Sequence, residues 1–242
     1  LAWQNGIGYY ASRPVSGSWS APFGVTVWPF LLEQTRLSVD PAGQARVAWL
    51  GHAQGVNAIL HGTIEGGFAT STQIAYTSTQ ALTLTRLLID GNGQSQLGWS
   101  RGDGEVLHGS ASPGGWTSAN VSASPSKTSS QIDLLSTTSG LWAVWREQEG
   151  ANTFAVACKK RTLDGQWHVL NACVNAAAGL GNPALAVGPD NRAHLAFGTP
   201  GMSAGEQYYA YWDDAGPRGA GLAQTVDITS AMAGPVLSFL YR

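Results

Sequence analysis

Charged residues are scarce in this chain of 242 residues: Asp, Glu, Lys and Arg make up 12% of it, about half the usual share. The formal net charge is −2, and the largest basic cluster is Lys159-Lys160-Arg161. A nucleic-acid-binding protein normally carries a basic face, so we expect no nucleic-acid partner. No apolar run approaches the roughly 20 residues that a membrane-spanning helix needs, so we expect no membrane span.

The chain also lacks the apolar spacing of a long helix. Apolar residues alternate with polar ones instead, as in residues 192–197, and Gly or Pro interrupts the pattern frequently. The 31 glycines suit tight turns, and the 10 tryptophans suit strands. A hydrophobic content of 43% is enough to build a core, so the sequence predicts a folded, many-stranded β protein.

Cysteine is almost absent, since the chain has only Cys158 and Cys173. They flank a segment centred on Asp164-Gly165, a strong hairpin signal, and pairing across that turn sets the two sulfurs roughly opposite one another. We predict a disulfide between them, with two buried free thiols as the alternative. No metal-ligand spacing accompanies the five histidines, so we expect neither a metal nor a cofactor.

A repeat organises what is present. Thr35–Trp49 predicts an apolar strand, an Asp-Pro-Ala-Gly turn and a second strand that ends in a large aromatic residue. The same pattern returns at Thr85–Trp99, and looser copies run over Gln131–Trp145 and Pro183–Phe197. The aromatics that close the second strands are Trp3, Trp49, Trp99, Trp145 and Phe197. Third and fourth strands follow each time, which is typical of the blades of a β-propeller.

We therefore predict a single all-β domain over residues 1–242, a five-bladed β-propeller of four-stranded antiparallel blades. The C-terminal segment Pro235–Arg242 is expected to supply the inner strand of the blade that the N-terminal residues form, which closes the ring. The predicted blades span residues 235–242 with 1–30, 35–77, 84–123, 130–175 and 182–229.

Several recurring residues have structural interpretations. Asp40 and Asp90 begin the first turns of their repeats, where an Asx hydrogen bond is expected. His61 and His108 occupy equivalent places on third strands, which favours a packing or turn role in the repeat. Three tryptophans lie outside the repeat and could either fill the core or stack on a sugar ring. These three are Trp28, Trp142 and Trp212.

The Asp-Pro-x-Gly turns, the strands ending in Trp and the Tyr-Tyr and Gly-x-Trp-Ser sequences resemble the repeats of sialidase-like propellers. Ser112-Pro-Gly-Gly-Trp116 is similar to the Asp box of that family, without its Asp. The five units and the closure by the tail are also similar to tachylectin-type five-bladed lectins, although no residues match the sugar-binding motif of that family. The resemblance covers the whole chain and implies a propeller fold.

Arg36 and Arg86 occupy equivalent places at the start of the first strand in neighbouring blades. The resemblance to sialidases implies that these arginines could hold a substrate carboxylate, because guanidinium groups bind carboxylates in a bidentate manner. A structural salt bridge is the alternative. The other blades carry Gln131 or Asp133, Pro183 and Pro235 nearby, and the remaining catalytic residues of a sialidase cannot be assigned.

In propellers, ligands gather where the fourth-to-first and second-to-third strand connections meet, and here those connections hold most of the few charges. We predict ligand-binding residues on this rim, with simple solvation of polar loops as the alternative. The candidate ligand-binding residues are Trp28, Glu33, Arg36, Arg86, Arg101, Asp103, Arg146, Glu206 and Trp212.

The main functional prediction is a non-enzymatic binding module for carbohydrate or glycoconjugates, since no complete catalytic set is found. One alternative is a glycosidase-like propeller enzyme related to sialidases or arabinanases, which requires a pair of carboxylates in a pocket. Another is an interaction scaffold or extracellular sensor that docks a protein partner. The low Lys content and the start at Leu1 favour a secreted or cell-surface protein, as a mature chain or a domain excerpt.

Overall fold

The computed structural model describes residues 2–4, 7–13, 16–25, 31–40, 42–65, 68–123, 127–151, 153–176, 181–189, 191–198, 207–212 and 224–226. Within these ranges the chain forms nineteen β-strands and no helix, which confirms the all-β prediction. A membrane-crossing helix is accordingly not found in the described part of the chain.

The described strands form one three-stranded sheet and four four-stranded sheets. The first sheet contains β1 (Ala2–Gln4), β2 (Ile7–Tyr10) and β3 (Phe23–Val25). The second contains β4 (Leu31–Val39), β5 (Ala45–Ala53), β6 (Val56–Glu65) and β7 (Phe68–Ser78). The third contains β8 (Leu82–Ile89), β9 (Ser95–Arg101), β10 (Val106–Ser112) and β11 (Gly115–Asn120). The fourth contains β12 (Thr128–Thr137), β13 (Gly140–Gln148), β14 (Phe154–Arg161) and β15 (Trp167–Ala176). The fifth contains β16 (Ala184–Val187), β17 (Ala193–Gly198), β18 (Gln207–Trp212) and β19 (Gln224–Val226).

Every four-stranded sheet is an antiparallel meander in chain order, as the repeat predicts for a propeller blade. The turns form as expected: Oδ1 of Asp40 accepts a hydrogen bond from the N–H of Gln44 at 2.8 Å, and Oδ1 of Asp90 accepts one from the N–H of Asn92 at 2.9 Å. The segment Pro235–Arg242, predicted to complete the first sheet, lies outside the described residues.

The core lies between consecutive sheets. One cluster joins Leu50 and Ile59 of the second sheet to Leu84 and Trp99 of the third. Equivalent clusters join the third sheet to the fourth and the fourth to the fifth. The recurring aromatics Trp99 and Trp145 are almost completely buried in these clusters, and Trp49 is buried in a further cluster of the second sheet, against which Tyr10 of the first sheet packs. Truncating such a side chain to Ala costs about 3–5 kcal/mol, so the repeat carries much of the stability.

Glycine makes room for one of these tryptophans. A Cβ atom on Gly109, in β10, would lie 2.8 Å from the ring of Trp99, which is closer than two carbons can approach. The histidine that precedes it, His108, is buried, as is His61 at the equivalent place in β6. The predicted packing role of both histidines is confirmed: the His61 ring meets Trp116 edge-on, and the His108 ring meets Trp167 edge-on.

The first strands of the sheets lie beside one another, with β4 against β8, β8 against β12, and β12 against β16. Each of β4, β8 and β12 contains a bulge near its start, where one extra residue interrupts the pairing with the second strand. Gln34 and Gln131 lie in two of these bulges with left-handed φ angles of 44° and 62°. These bulges determine which side chains share the pocket described next.

Candidate active site

The bulges place three charged residues at one equivalent position. Each of these residues lies opposite the residue that precedes the recurring tryptophan of the second strand. The three pairs are Arg36 with Ala48, Arg86 with Gly98, and Asp133 with Val144. In the fifth sheet the same position is taken by Ala184, opposite Ala196. The alternatives left open by the sequence, Gln131 or Asp133, are thereby resolved in favour of Asp133.

A pocket of about 200 Å³ lies among the starts of these strands. We call it the inner-strand pocket. Its described lining residues are Arg36, Thr85, Gln131, Ile132, Asp133, Asn182 and Pro183. The lining combines one guanidinium, one carboxylate and two amides, which are groups that bind sugar hydroxyls.

Asp133 is held by groups from three sheets. Its Oδ2 accepts a hydrogen bond from the N–H of Leu185 at 2.7 Å, and its Oδ1 accepts one from the N–H of Leu134 at 2.9 Å. Nε of Arg86 lies 3.3 Å from Oδ1, which is an ion-pair distance, but its N–H is not directed at any acceptor among the described residues. The carboxylate is therefore fixed in one orientation at the edge of the pocket.

Arg36 reaches across to the third sheet. Its Nε donates to the carbonyl oxygen of Thr85 at 2.8 Å, and its Nη1 donates to the carbonyl oxygen of Thr35 at 3.0 Å. Burial lowers the pKa of Arg36 from its ordinary value. No carboxylate of the described ranges forms an ion pair with this side chain, so a partly desolvated cation faces the inner-strand pocket. Such a cation favours a ligand that presents oxygen atoms.

Arg101 and Asp103, by contrast, stabilise their own loop. Nε of Arg101 donates to Oδ2 of Asp103 at 2.8 Å, its Nη1 donates to the hydroxyl of Tyr76 at 3.0 Å, and its Nη2 contacts Glu105. The hydrogen bond from Arg101 lowers the pKa of Asp103, and the same bond raises the pKa of Arg101. These contacts join the β9–β10 loop to the second sheet and keep both side chains out of the inner-strand pocket.

Two further predicted rim residues, Arg146 and Glu33, do not line the inner-strand pocket either. Arg146 stacks over the ring of Phe154, with 3.9 Å from its guanidinium carbon to the ring centroid. Glu33 is exposed, with Oε2 located 3.4 Å from Nε2 of His52. Trp28 and Glu206 lie outside the described residues. The same holds for the side chain of Trp212, although its backbone ends β18.

Trp142 and the two cysteines bear on other predictions. Trp142 is buried in the core between the fourth and fifth sheets, and its Nε1 donates to the hydroxyl of Thr137 at 3.2 Å, so it is a core residue and no platform for a sugar. Cys158 is buried and pairs with Leu170, while Cys173 pairs with Val156. The side chain of Cys173 lies outside the described residues, so the disulfide stays a prediction. Nowhere in the described ranges do three His, Cys, Asp or Glu side chains cluster as a metal site would require.

Sequence reasoning identified Arg36 and Arg86 but did not select Asp133, Gln131 or Asn182 as site residues. The sequence names Gln131 and Asp133 only as the residues near the position equivalent to Arg36. The signal was an offset after the bulge, because the second and fourth repeats have the same one-residue bulge but hairpin loops of different length. Val39 pairs with Ala45, whereas Thr137 pairs with Gly140, so Asp133 lies one residue closer to its tryptophan than Arg36 does. An alignment that allowed a shorter loop in the fourth repeat would have found the position.

The chain matches no protein-family model and no curated protein. It is similar in structure to an endo-arabinase from Bacteroides thetaiotaomicron, with a TM-score of 0.50 and 14% identity over 82% of this chain and 84% of that one. It is also similar to a β-1,3-galactosidase of glycoside hydrolase family 43, with a TM-score of 0.51 and 11% identity over 93% of this chain and 92% of that one. At these identities the likeness shows the fold, a β-propeller of the type found in glycoside hydrolases.

This finding corrects two predictions. The non-enzymatic, lectin-like module was the main functional prediction, and it is wrong: the fold is shared with glycoside hydrolases, which favours the glycosidase-like alternative. The prediction that the chain is not an enzyme is wrong for the same reason. It rested on the lack of a local catalytic motif, but the groups in the inner-strand pocket come from separate sheets and form no motif in the sequence.

Proposed function

We propose that this chain is a glycosidase-like propeller enzyme that hydrolyses a carbohydrate in the inner-strand pocket. One observation carries the proposal: the fold of an endo-arabinase and a galactosidase is combined with a carboxylate, Asp133, that lines the same pocket as Arg36 among the first strands. Arabinan and β-1,3-galactan, the substrates that the names of those two enzymes indicate, are the first to test. A secreted or cell-surface location is part of the proposal, since such polymers are extracellular.

Glycoside hydrolysis commonly uses two carboxyl groups, one as the acid and one as the base or nucleophile. Both oxygens of Asp133 accept hydrogen bonds, so Asp133 is suited to act as the ionised base or nucleophile. It is the one carboxylate among the described residues that line the pocket. Glu206 is our candidate for the acid. In the sequence it lies between β17 and β18, and β17 ends beside the start of β16.

The proposal also covers the number of blades and the way in which the ring is closed. We propose that the ring has five blades and that residues 235–242 complete the first sheet beside β1. Among the described residues, the first sheet has three strands where the others have four, and β1 carries the recurring aromatic Trp3 of a second strand. The missing strand is therefore a first strand, and Val236-Leu-Ser-Phe-Leu240 has the apolar character of the other first strands.

The test is hydrolysis by the purified chain, measured as reducing ends released from arabinan, β-1,3-galactan and a set of synthetic glycosides. Asp133→Asn is expected to lower the rate by at least about a hundredfold, the usual size of an acid–base or nucleophile contribution. Asp164→Asn is the matched control, because Asp164 is an exposed turn residue of the β14–β15 hairpin. Thermal unfolding of both variants shows whether they are folded. Failure to cleave any of these substrates, or full activity in a folded Asp133→Asn variant, would overturn the proposal.

A further inference from the structure

A second cavity, of about 160 Å³, lies between the outer strands of the third and fourth sheets. It shares no described residue with the inner-strand pocket. We call it the outer cavity, and its polar and aromatic lining consists of His108, Thr117, Ser118, Arg161 and Trp167. The volume is below the roughly 300–1,000 Å³ of a pocket for a drug-sized ligand, so it suits one small ring.

The tautomer of His108 is fixed by a chain of hydrogen bonds. Nε2 of Gln96 donates to Oδ2 of Asp90 at 2.7 Å, which orients the amide so that its Oε1 faces His108. That oxygen accepts from Nε2–H of His108 at 2.8 Å. Burial and the charge of Arg161 lower the pKa of His108 to about 3, so the ring is neutral at pH 7. Its Nδ1 is consequently an acceptor, and no described residue donates to it.

Arg161 supplies the complementary donors. Its Nε donates to the carbonyl oxygen of Gly165 at 3.0 Å, which leaves the two terminal nitrogens for a ligand. None of the described residues lining the cavity is a carboxylate. The β14–β15 hairpin, to which Arg161 belongs, also contains the carboxylate of Asp164. That carboxylate accepts hydrogen bonds from the N–H of Gln166 and the hydroxyl of Thr162, so it stabilises the turn.

The repeat explains some of this lining but not Arg161. Between the second and third sheets, His61 and Trp116 form the equivalent edge-on pair, and there Nε2 of the histidine contacts the hydroxyl of Ser95 at 2.9 Å. The register shows the difference, because the residue opposite Trp116 is Ala111, whereas the residue opposite Trp167 is Arg161. An arginine opposite the tryptophan is therefore particular to the outer cavity, whereas the guanidinium near His61 belongs to Arg46 of β5 and lies 3.5 Å from the hydroxyl of Ser95.

We propose that the outer cavity is a second carbohydrate site, and that it binds a single sugar ring carrying a carboxylate, as in a uronic acid. Arg161 binds the carboxylate, Nδ1 of His108 accepts a ring hydroxyl, and the hydroxyls of Thr117 and Ser118 complete the polar contacts. The half-buried indole of Trp167 covers an apolar face of the ring. The site does not rest on the hydrolytic activity proposed above.

The test is a calorimetric titration of the full chain with glucuronate and galacturonate, compared with glucose and galactose. We expect the acidic sugars to bind at least about tenfold more tightly than the neutral ones, because a charge-assisted pair is roughly twice as strong as a neutral hydrogen bond. Arg161→Gln should remove that preference. Lys160→Gln is the matched control: Lys160 is the neighbouring residue of β14, but its ammonium lies 4.9 Å from the ring of Trp142, in the core between the fourth and fifth sheets.

Arg36→Gln distinguishes the two sites, since it changes the inner-strand pocket alone and should leave uronate affinity unchanged. The proposal is overturned if no uronate binds, if neutral sugars bind equally well, or if Arg161→Gln retains the wild-type affinity. It is also overturned if Arg36→Gln abolishes binding, because the ligand would then lie in the other pocket. Hydrolysis is measured separately, so a lack of enzymatic activity does not affect this result.

Discussion

At the scale of single residues, His61 and His108 show how a recurring polar side chain can belong to the core. Burial lowers the pKa of His61 to about 4 and that of His108 to about 3, in each case with a smaller contribution from a neighbouring arginine. Both rings are hydrogen-bonded, to Ser95 and Gln96. The folded chain therefore keeps these imidazoles neutral where an unfolded chain would protonate them.

Stability should fall as the solution is acidified. Between the ordinary histidine pKa near 6.5 and the folded values of about 4 and 3, the unfolded chain binds protons that the folded chain does not, so the free energy of unfolding decreases with falling pH. At pH 4.5 each histidine should account for about 2–3 kcal/mol of that loss. Urea unfolding of His108→Gln at pH 7 and pH 4.5 should show a correspondingly smaller decrease than the wild type.

The control for this experiment is His168→Gln, which makes the same substitution at an exposed histidine. It should keep the wild-type pH dependence. Identical pH dependence in His108→Gln and the wild type would show that the buried imidazole is not the group responsible.

At the scale of single elements, turns were easier to predict than bulges. The Asp40 and Asp90 turns depend on neighbouring residues in the sequence, and they form as expected. The bulge before Asp133 has no comparable local signal, because an inserted residue is recognised only from the pairing of two strands. The inner-strand pocket was therefore predicted only in part: Arg36 and Arg86 repeat at one spacing from their tryptophans, but Asp133 lies one residue closer to its tryptophan because the β12–β13 loop is shorter.

The β12–β13 turn depends on a glycine. Gly140 has a φ angle of 140°, and a Cβ atom there would lie 2.3 Å from the carbonyl oxygen of Arg161. Gly140→Ala should destabilise the fold by more than about 2 kcal/mol, because it adds backbone strain to a clash with the main chain. Gly91→Ala is the control, since a Cβ there meets nothing within 4 Å, and it should change stability by less than about 1 kcal/mol. Urea midpoints measure both, and equal values would contradict this account.

At the scale of the whole molecule, a hydrophobic cluster joins the second sheet to the third, the third to the fourth and the fourth to the fifth. Three of the four clusters among the described residues contain buried side chains from two consecutive sheets, and in the other Tyr10 of the first sheet packs against buried residues of the second. The repeat predicted this arrangement because tryptophans at a regular spacing have a shared structural role. Function was predicted poorly, since it depends on side chains that differ between repeats and meet only in three dimensions.

Ring closure can be tested by truncation. Removal of residues 235–242 should lower the midpoint of thermal unfolding strongly and make the first sheet sensitive to protease, because β1 would keep an unpaired edge. Adding the peptide of residues 235–242 in trans should restore part of the midpoint. A truncated chain that unfolds at the wild-type temperature would show that the segment does not complete the sheet.

The bulged first strands have one further consequence, which concerns engineering. Arg36, Arg86, Asp133 and Ala184 occupy the same position in four successive sheets, yet they range from cationic through anionic to a methyl group. The scaffold evidently accepts any of these chemistries there, because the buried tryptophans hold the sheets together elsewhere. This position is therefore a suitable place for engineering. New acids, bases or metal ligands can be introduced there by substitution, one sheet at a time, without redesigning the core.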